Sequence, residues 1–135
     1  MSVWTHVAGI VRVDGIVCFG DIDFDKVFGK ECLWNSNDDI WNDANLNPND
    51  YMPMGSEGSL EKSVWINPDA YCMARYTVSV FGDLRDYDDS KAIIEWFENS
   101  CDKVAVRQAV LTIEVEGKEP ITYNYCNHKK HRKEN

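Results

Sequence analysis

Between Val3 and Val13 the chain alternates with a period of two. Val3, Thr5, Val7, Val11 and Val13 fall on one face, and Trp4, His6, Ala8, Ile10 and Arg12 on the other. Such a run is a β-strand that can lay one face on a core. The same period returns in Cys72 to Phe81, with Ala74, Tyr76, Val78 and Val80 on one side, and in Leu60 to Ile66. Asn67-Pro68-Asp69 turns the chain between these two, predicting a 60–66/72–81 hairpin. Residues 104–115 and 121–125 make a second hairpin around Glu116–Pro120.

Two stretches change to helical spacing. Ile93, Ile94, Phe97 and Cys101 form a stripe over Ser90–Cys101, with Asp88, Asp89 or Ser90 available as caps. Phe24, Val27 and Phe28 do the same over Asp23–Lys30, with Gly29 near the C-terminal end. The order strand, helix, hairpin, helix, hairpin predicts an α+β fold. We expect an antiparallel sheet with two helices on one face, as a ferredoxin-like split βαβ with an extra strand.

Residues 1–126 are expected to form one domain, and 127–135 a basic C-terminal tail. A chain of 135 residues is long enough for a core, burying roughly two-thirds of its unfolded surface. No apolar run approaches the ~18 residues of a membrane span, and the N-terminus lacks a signal-peptide pattern, so the expected compartment is the cytoplasm. Five dispersed cysteines without a C-x-x-C pair suit reduced, mostly buried thiols. The net charge of −9 divides into +3 over residues 127–135 and −12 over the first 126. An acidic body repels nucleic acid and steers toward basic surfaces, so direct DNA binding is not expected.

Several chemistries fail on spacing. Asp21-Ile-Asp23-Phe-Asp25 opens like a calcium loop, but Lys26 and Cys32 stand where that loop needs Gly and Glu. Acids at a helix N-terminus explain it. Cys126, His128 and His131 lack a fourth ligand and are surrounded by Lys129, Lys130, Arg132 and Lys133, so no metal is expected. No nucleophile elbow, phosphate-binding loop, dinucleotide fingerprint or H-E-x-x-H motif occurs. His6 reads as a packed or interface histidine, and the chain as a non-enzymatic protein without a cofactor.

Residues 35–58 form a long excursion with five acids, six Asn and no Lys or Arg. A loop of this length is functional or hides a short helix, with Trp41 and Tyr51 pinning it to the body. It ends in Gly55-Ser56-Glu57-Gly58-Ser59. Here two glycines and two serines can form an anion-binding nest, with Glu57 accepting from a sugar hydroxyl or base edge. A turn entering the next strand is the competing reading. Gly82 to Asp89 reads as a strand-to-helix loop, in which Arg85 either meets an anion or pairs with Asp83 or Asp86.

Trp4–Asp14, Gly55–Leu60 and Tyr76–Tyr87 together resemble small uncharacterised proteins encoded by tailed bacteriophages. The resemblance names no activity and assigns no residue; it implies an accessory factor that antagonises host defence. One expectation is sequestration of a small anionic, nucleotide-like ligand in a homo-oligomer by Gly55, Ser56, Glu57, Gly58, Ser59, Arg75, Arg85, Trp65 and Arg12. The alternative is an acidic inhibitor of a basic host protein, acting through Asp38, Asp39, Asp43, Asp83 and Asp86. A virion structural or assembly role is the third.

Overall fold

The computed structural model describes residues 2–15, 20–32 and 48–126. Asp38, Asp39, Asp43, Trp41, Cys18 and the basic tail lie outside the described residues.

Five strands form an antiparallel sheet in the order β4-β5-β1-β6-β7, with β1 spanning Trp4–Val13, β4 Glu61–Ile66, β5 Tyr76–Arg85, β6 Val106–Val115 and β7 Ile121–Asn124. The valine-rich run at the N-terminus is therefore the central strand, paired along its length with β5 on one side and β6 on the other. Two α-helices lie among the described residues: α1 (Phe24–Phe28) after β1, and α2 (Ser90–Cys101) between β5 and β6. A small second hairpin, β2 (Met54–Gly55) and β3 (Gly58–Ser59), precedes β4.

One face of the sheet carries the core. Val7, Val11 and Val13 of β1 meet Tyr76, Val78, Val80 and Leu84 of β5 and Ala109, Leu111 and Ile113 of β6. Phe24, Val27 and Phe28 of α1 and Ile93 and Phe97 of α2 close the same cluster. Aromatic contacts join the layers: Phe24 meets Tyr76 edge-on at 5.2 Å between ring centroids, and Phe97 meets Tyr123 at 6.2 Å. Trp96 donates its indole N–H to the Phe28 carbonyl at 2.7 Å, tying α2 to the end of α1.

Helix starts follow the capping chemistry read from the sequence. Asp23 accepts from Asp25 N–H at 3.1 Å, and Asp89 from Ala92 N–H at 3.1 Å. Of the described cysteines, Cys32 and Cys101 are buried and Cys72 and Cys126 half-buried. Burial pushes the Cys32 thiol pKa up. No helix among the described residues is long and apolar enough to cross a membrane.

The structure corrects several boundaries. Residues 82–85 are not a loop: β5 continues through them, pairing Gly82 with Val7 and Arg85 with Trp4. The hairpin strand expected at Cys72 begins at Tyr76. Within the excursion, the described part holds a 3-10 turn at Pro48–Asp50 and the β2–β3 hairpin. Its buried side-chain anchor is Met52, 1% exposed, and the neighbouring Tyr51 is held by a β-bridge to Lys30.

Candidate functional site

The face of the sheet opposite the helices has none covering it among the described residues. Strand register orders this outer face in rows. Glu61, Phe81, Ala8, Thr112 and Thr122 lie across one row, and Ser63, Ser79, Ile10, Val110 and Asn124 across the next. Trp65, Thr77, Arg12 and Gln108 form the row at one end. Asp83, His6 and Glu114 form a row near the other.

The glycine-serine segment docks at this second end, and its residues have structural duties. A Cβ on Gly55 would lie 2.5 Å from the Arg85 carbonyl oxygen and 2.7 Å from the Arg85 nitrogen, so only glycine lets the hairpin approach β5. Gly58, with φ 133°, takes a conformation other residues rarely adopt. Ser56 N–H donates to the Arg85 carbonyl at 2.9 Å, and its hydroxyl to Asp86 Oδ2 at 2.7 Å. Ser59 is buried. Its hydroxyl donates to the Leu60 carbonyl and accepts from Cys32 N–H, both at 2.8 Å, while its own N–H donates to the Cys32 carbonyl.

Arg85 keeps one of its two expected aspartates, Asp86, as the longer of its ion pairs. Its Nη1 donates to Glu57 Oε1 at 2.7 Å and its Nε to Ser2 Oγ at 3.0 Å, with Asp86 at 4.0 Å. Asp83 holds His6 instead. His6 Nδ1 lies 2.6 Å from Asp83 Oδ1 and Nε2 lies 2.9 Å from Glu116 Oε2. With a carboxylate on each ring nitrogen the imidazolium is favoured, and the hydrogen bonds to Asp83 and then Glu116 raise the His6 pKa above its ordinary 6.5. The Ser56 hydroxyl, donating to Asp86, is the largest influence lowering that carboxyl's pKa.

Beside these pairs the hairpin and the outer face enclose a cleft of about 610 Å³, lined by Trp4, Glu57, Gly58, Glu61, Phe81 and Asp83 among others. Its walls are two aromatic rings and three carboxylates. Glu57 and Asp83 are engaged by Arg85 and His6; Glu61 has no ion pair among the described residues. Such a lining attracts a cation: carboxylates supply charge, and ring faces add cation–π attraction.

The predicted ligand set divides in two. Gly55–Ser59 and Arg85 come together, with Asp83 and Asp86 beside them. Trp65, Arg12 and Arg75 stand at the opposite end, because β5 spans the distance from Arg75 to Arg85 at ~3.3 Å per residue, roughly 30 Å. There Arg75 lies over the Tyr76 ring at 6.0 Å, its Nη1 donates to the Asn67 carbonyl at 3.4 Å, and its buried Nε has no hydrogen-bond partner among the described residues.

The residues that sequence reading missed are Phe81 and Glu61 as cleft walls and Glu116 as the second partner of His6. The alternation did place Trp4 and His6 on one face; nothing in it showed that this face stays open. A second groove, about 1180 Å³, runs between α1, residues 49–54 and α2, where Lys26, Lys30 and Lys103 mix with Asp23, Asp25 and Asp50. One of these cations is committed: Lys103 Nζ donates to the carbonyls of Lys26 and Val27. Among the described residues no group of His, Cys, Asp and Glu is arranged to hold a metal ion. No family model, curated protein or solved structure matches the chain.

Proposed function

We propose that this is a non-enzymatic binding protein that captures a basic segment of a partner protein at the acidic, aromatic end of its open sheet face. One observation carries the reading. The cleft at that end presents Trp4 and Phe81 beside Glu57, Glu61 and Asp83, while both serine hydroxyls of the neighbouring loop and the Ser56 and Ser59 amides are already hydrogen-bonded within the fold. An arginine or lysine side chain suits such a lining, and an anion does not. Inhibition of a basic host protein by a phage accessory factor is the setting that fits this chemistry. The finer topology is a split βαβ arrangement with β7 added, a reading supported by β5 lying between β1 and β4.

A nucleotide-like ligand held in a homo-oligomer is the second reading. Its support is at the far end, where Arg75 Nε is an unused buried donor near Trp65 and Arg12.

Titration calorimetry with an arginine-rich peptide and, separately, with a nucleoside triphosphate tests the two. The first reading expects peptide binding at low salt and about fivefold weaker binding for Glu61→Gln, the loss of one exposed charge interaction of up to about 1 kcal/mol. Glu61 is the variant of choice because Glu57 and Asp83 also hold Arg85 and His6. Nucleotide binding that is lost in Arg75→Gln, with no response to the peptide, transfers the function to the far end.

A further inference from the structure

Strand β4 is one edge of the sheet, and its two halves differ. Its odd-numbered backbone groups face β5, as the next odd residue shows: Asn67 N–H donates to the Arg75 carbonyl at 2.7 Å. Even-numbered groups face away. Leu60 N–H is taken by the Pro53 carbonyl at 2.9 Å, and Lys62 N–H by Glu31 Oε1 at 3.2 Å. The first half of the edge is thereby capped. Beyond it, the alternation of antiparallel pairing turns the N–H and C=O groups of Val64 and Ile66 outward, and no described residue caps them.

Side chains along this bare half are apolar on both faces. Val64 is 38% exposed, Trp65 53% and Ile66 43%, and the adjoining turn adds Tyr71 at 96% and Met73 at 50%. Soluble proteins guard such an edge with a charge, a proline within the strand, a bulge or a covering segment. Ser63 to Asn67 contain no charged residue and no proline.

We infer that this half-edge pairs with the same strand of a second copy, antiparallel about a two-fold axis at Trp65. Register and charge both select a copy of this chain. With the axis at Trp65, Val64 faces Ile66 of the second copy, and both are outward-facing residues. Each of the two pairs so formed exchanges both of its backbone bonds. The two Trp65 side chains then meet as a close cross-strand aromatic pair on the outer face. A chain of net charge −9 repels its own copies, and Ser63–Asn67 is a neutral stretch where identical strands meet without like charges opposed. The five exposed side chains offer on the order of 500 Å² per copy, about 1,000 Å² in all, at the low end of specific interfaces. An interface this small suits a dimer in exchange with monomer.

Sedimentation velocity over the micromolar range, combined with amide hydrogen exchange, tests the interface on the unmodified chain. Val64 and Ile66 amides should gain protection as concentration rises, in step with dimer. Trp65 N–H, already facing β5, should not change. Val64→Lys should leave a folded monomer, as should Val64→Pro, which removes an outward N–H and no β5 bond. A chain monomeric throughout, exchange at Val64 and Ile66 independent of concentration, or a dimer surviving both substitutions would overturn the inference.

Discussion

His6 is charged by its neighbours, and the sign of its pH effect follows. Asp83 from β5 and Glu116 after β6 each hold one ring nitrogen, and Glu114 stands opposite on the sheet face. A histidine whose pKa rises on folding stabilises the folded state fully below the unfolded value near 6.5, and the stabilisation is lost as pH climbs through the higher folded value. The melting temperature should therefore fall as pH rises above about 6.5, and His6→Gln should flatten that decline, measured by calorimetry in matched buffers. The ring is too exposed for a large effect, so the slope and not the absolute stability is the readout. Gly55 makes the complementary point about space. Its Cβ would meet backbone atoms of β5, which cannot rotate away as a side chain can. Gly55→Ala should lower stability by about 2 kcal/mol, seen as an earlier urea midpoint. An unchanged midpoint would mean that the hairpin lifts off β5 at no cost. Neither role was legible in the sequence. His6 and its partners are 77 and 110 residues apart, and a glycine beside a serine looks the same in a nest and in a tight backbone contact.

Elements with a sustained period were readable because packing reinforces that period. β1, α2 and β6 bury the residues their spacing selects: Val7, Val11 and Val13; Ile93, Phe97 and Cys101; Leu111 and Ile113. Two elements escaped for opposite reasons. The second half of β5 contains Gly82-Asp83, a turn signal by composition, but pairing with the first half of β1 holds it extended and buries Leu84; tertiary pairing overrode local preference. β2 and β3 are two residues each, too short to show any period. The start of α2 was read from its chemistry and offers a clean test. Asp89 accepts from Ala92 N–H and is exposed, so Asp89→Ala removes a cap with little else. We expect a loss of about 1 kcal/mol, largely restored by Asp89→Ser. Failure of serine to restore it would assign the effect to charge near the helix start instead of capping.

Across the whole molecule, charge is distributed along the strand axis. Around the docked hairpin, Glu57, Asp83, Asp86, Glu114 and Glu116 outnumber Arg85 and His6, whereas Arg12, Arg75 and Arg107 stand at the far end, Arg107 paired with Asp14. The net charge of −9 was plain in the sequence; the grouping of these five acids around the hairpin depends on strand register and could not be. The two proposed surfaces must then answer salt in opposite directions. Capture of a basic segment at the acidic end relies on unscreened attraction, which weakens as the screening length shortens from about 10 Å at 0.1 M to about 3 Å at 1 M. Pairing of the neutral β4 edges is opposed by repulsion between two acidic bodies, and screening relieves that repulsion. Raising salt from 0.05 to 0.5 M should slow association with an arginine-rich peptide by about tenfold, while the dimer fraction at fixed protein concentration holds or rises. Stopped-flow association rates and sedimentation on the same samples measure both. If the two fall together, one surface serves both events, and Val64→Lys, which adds a positive charge at the edge, should then weaken peptide capture as well.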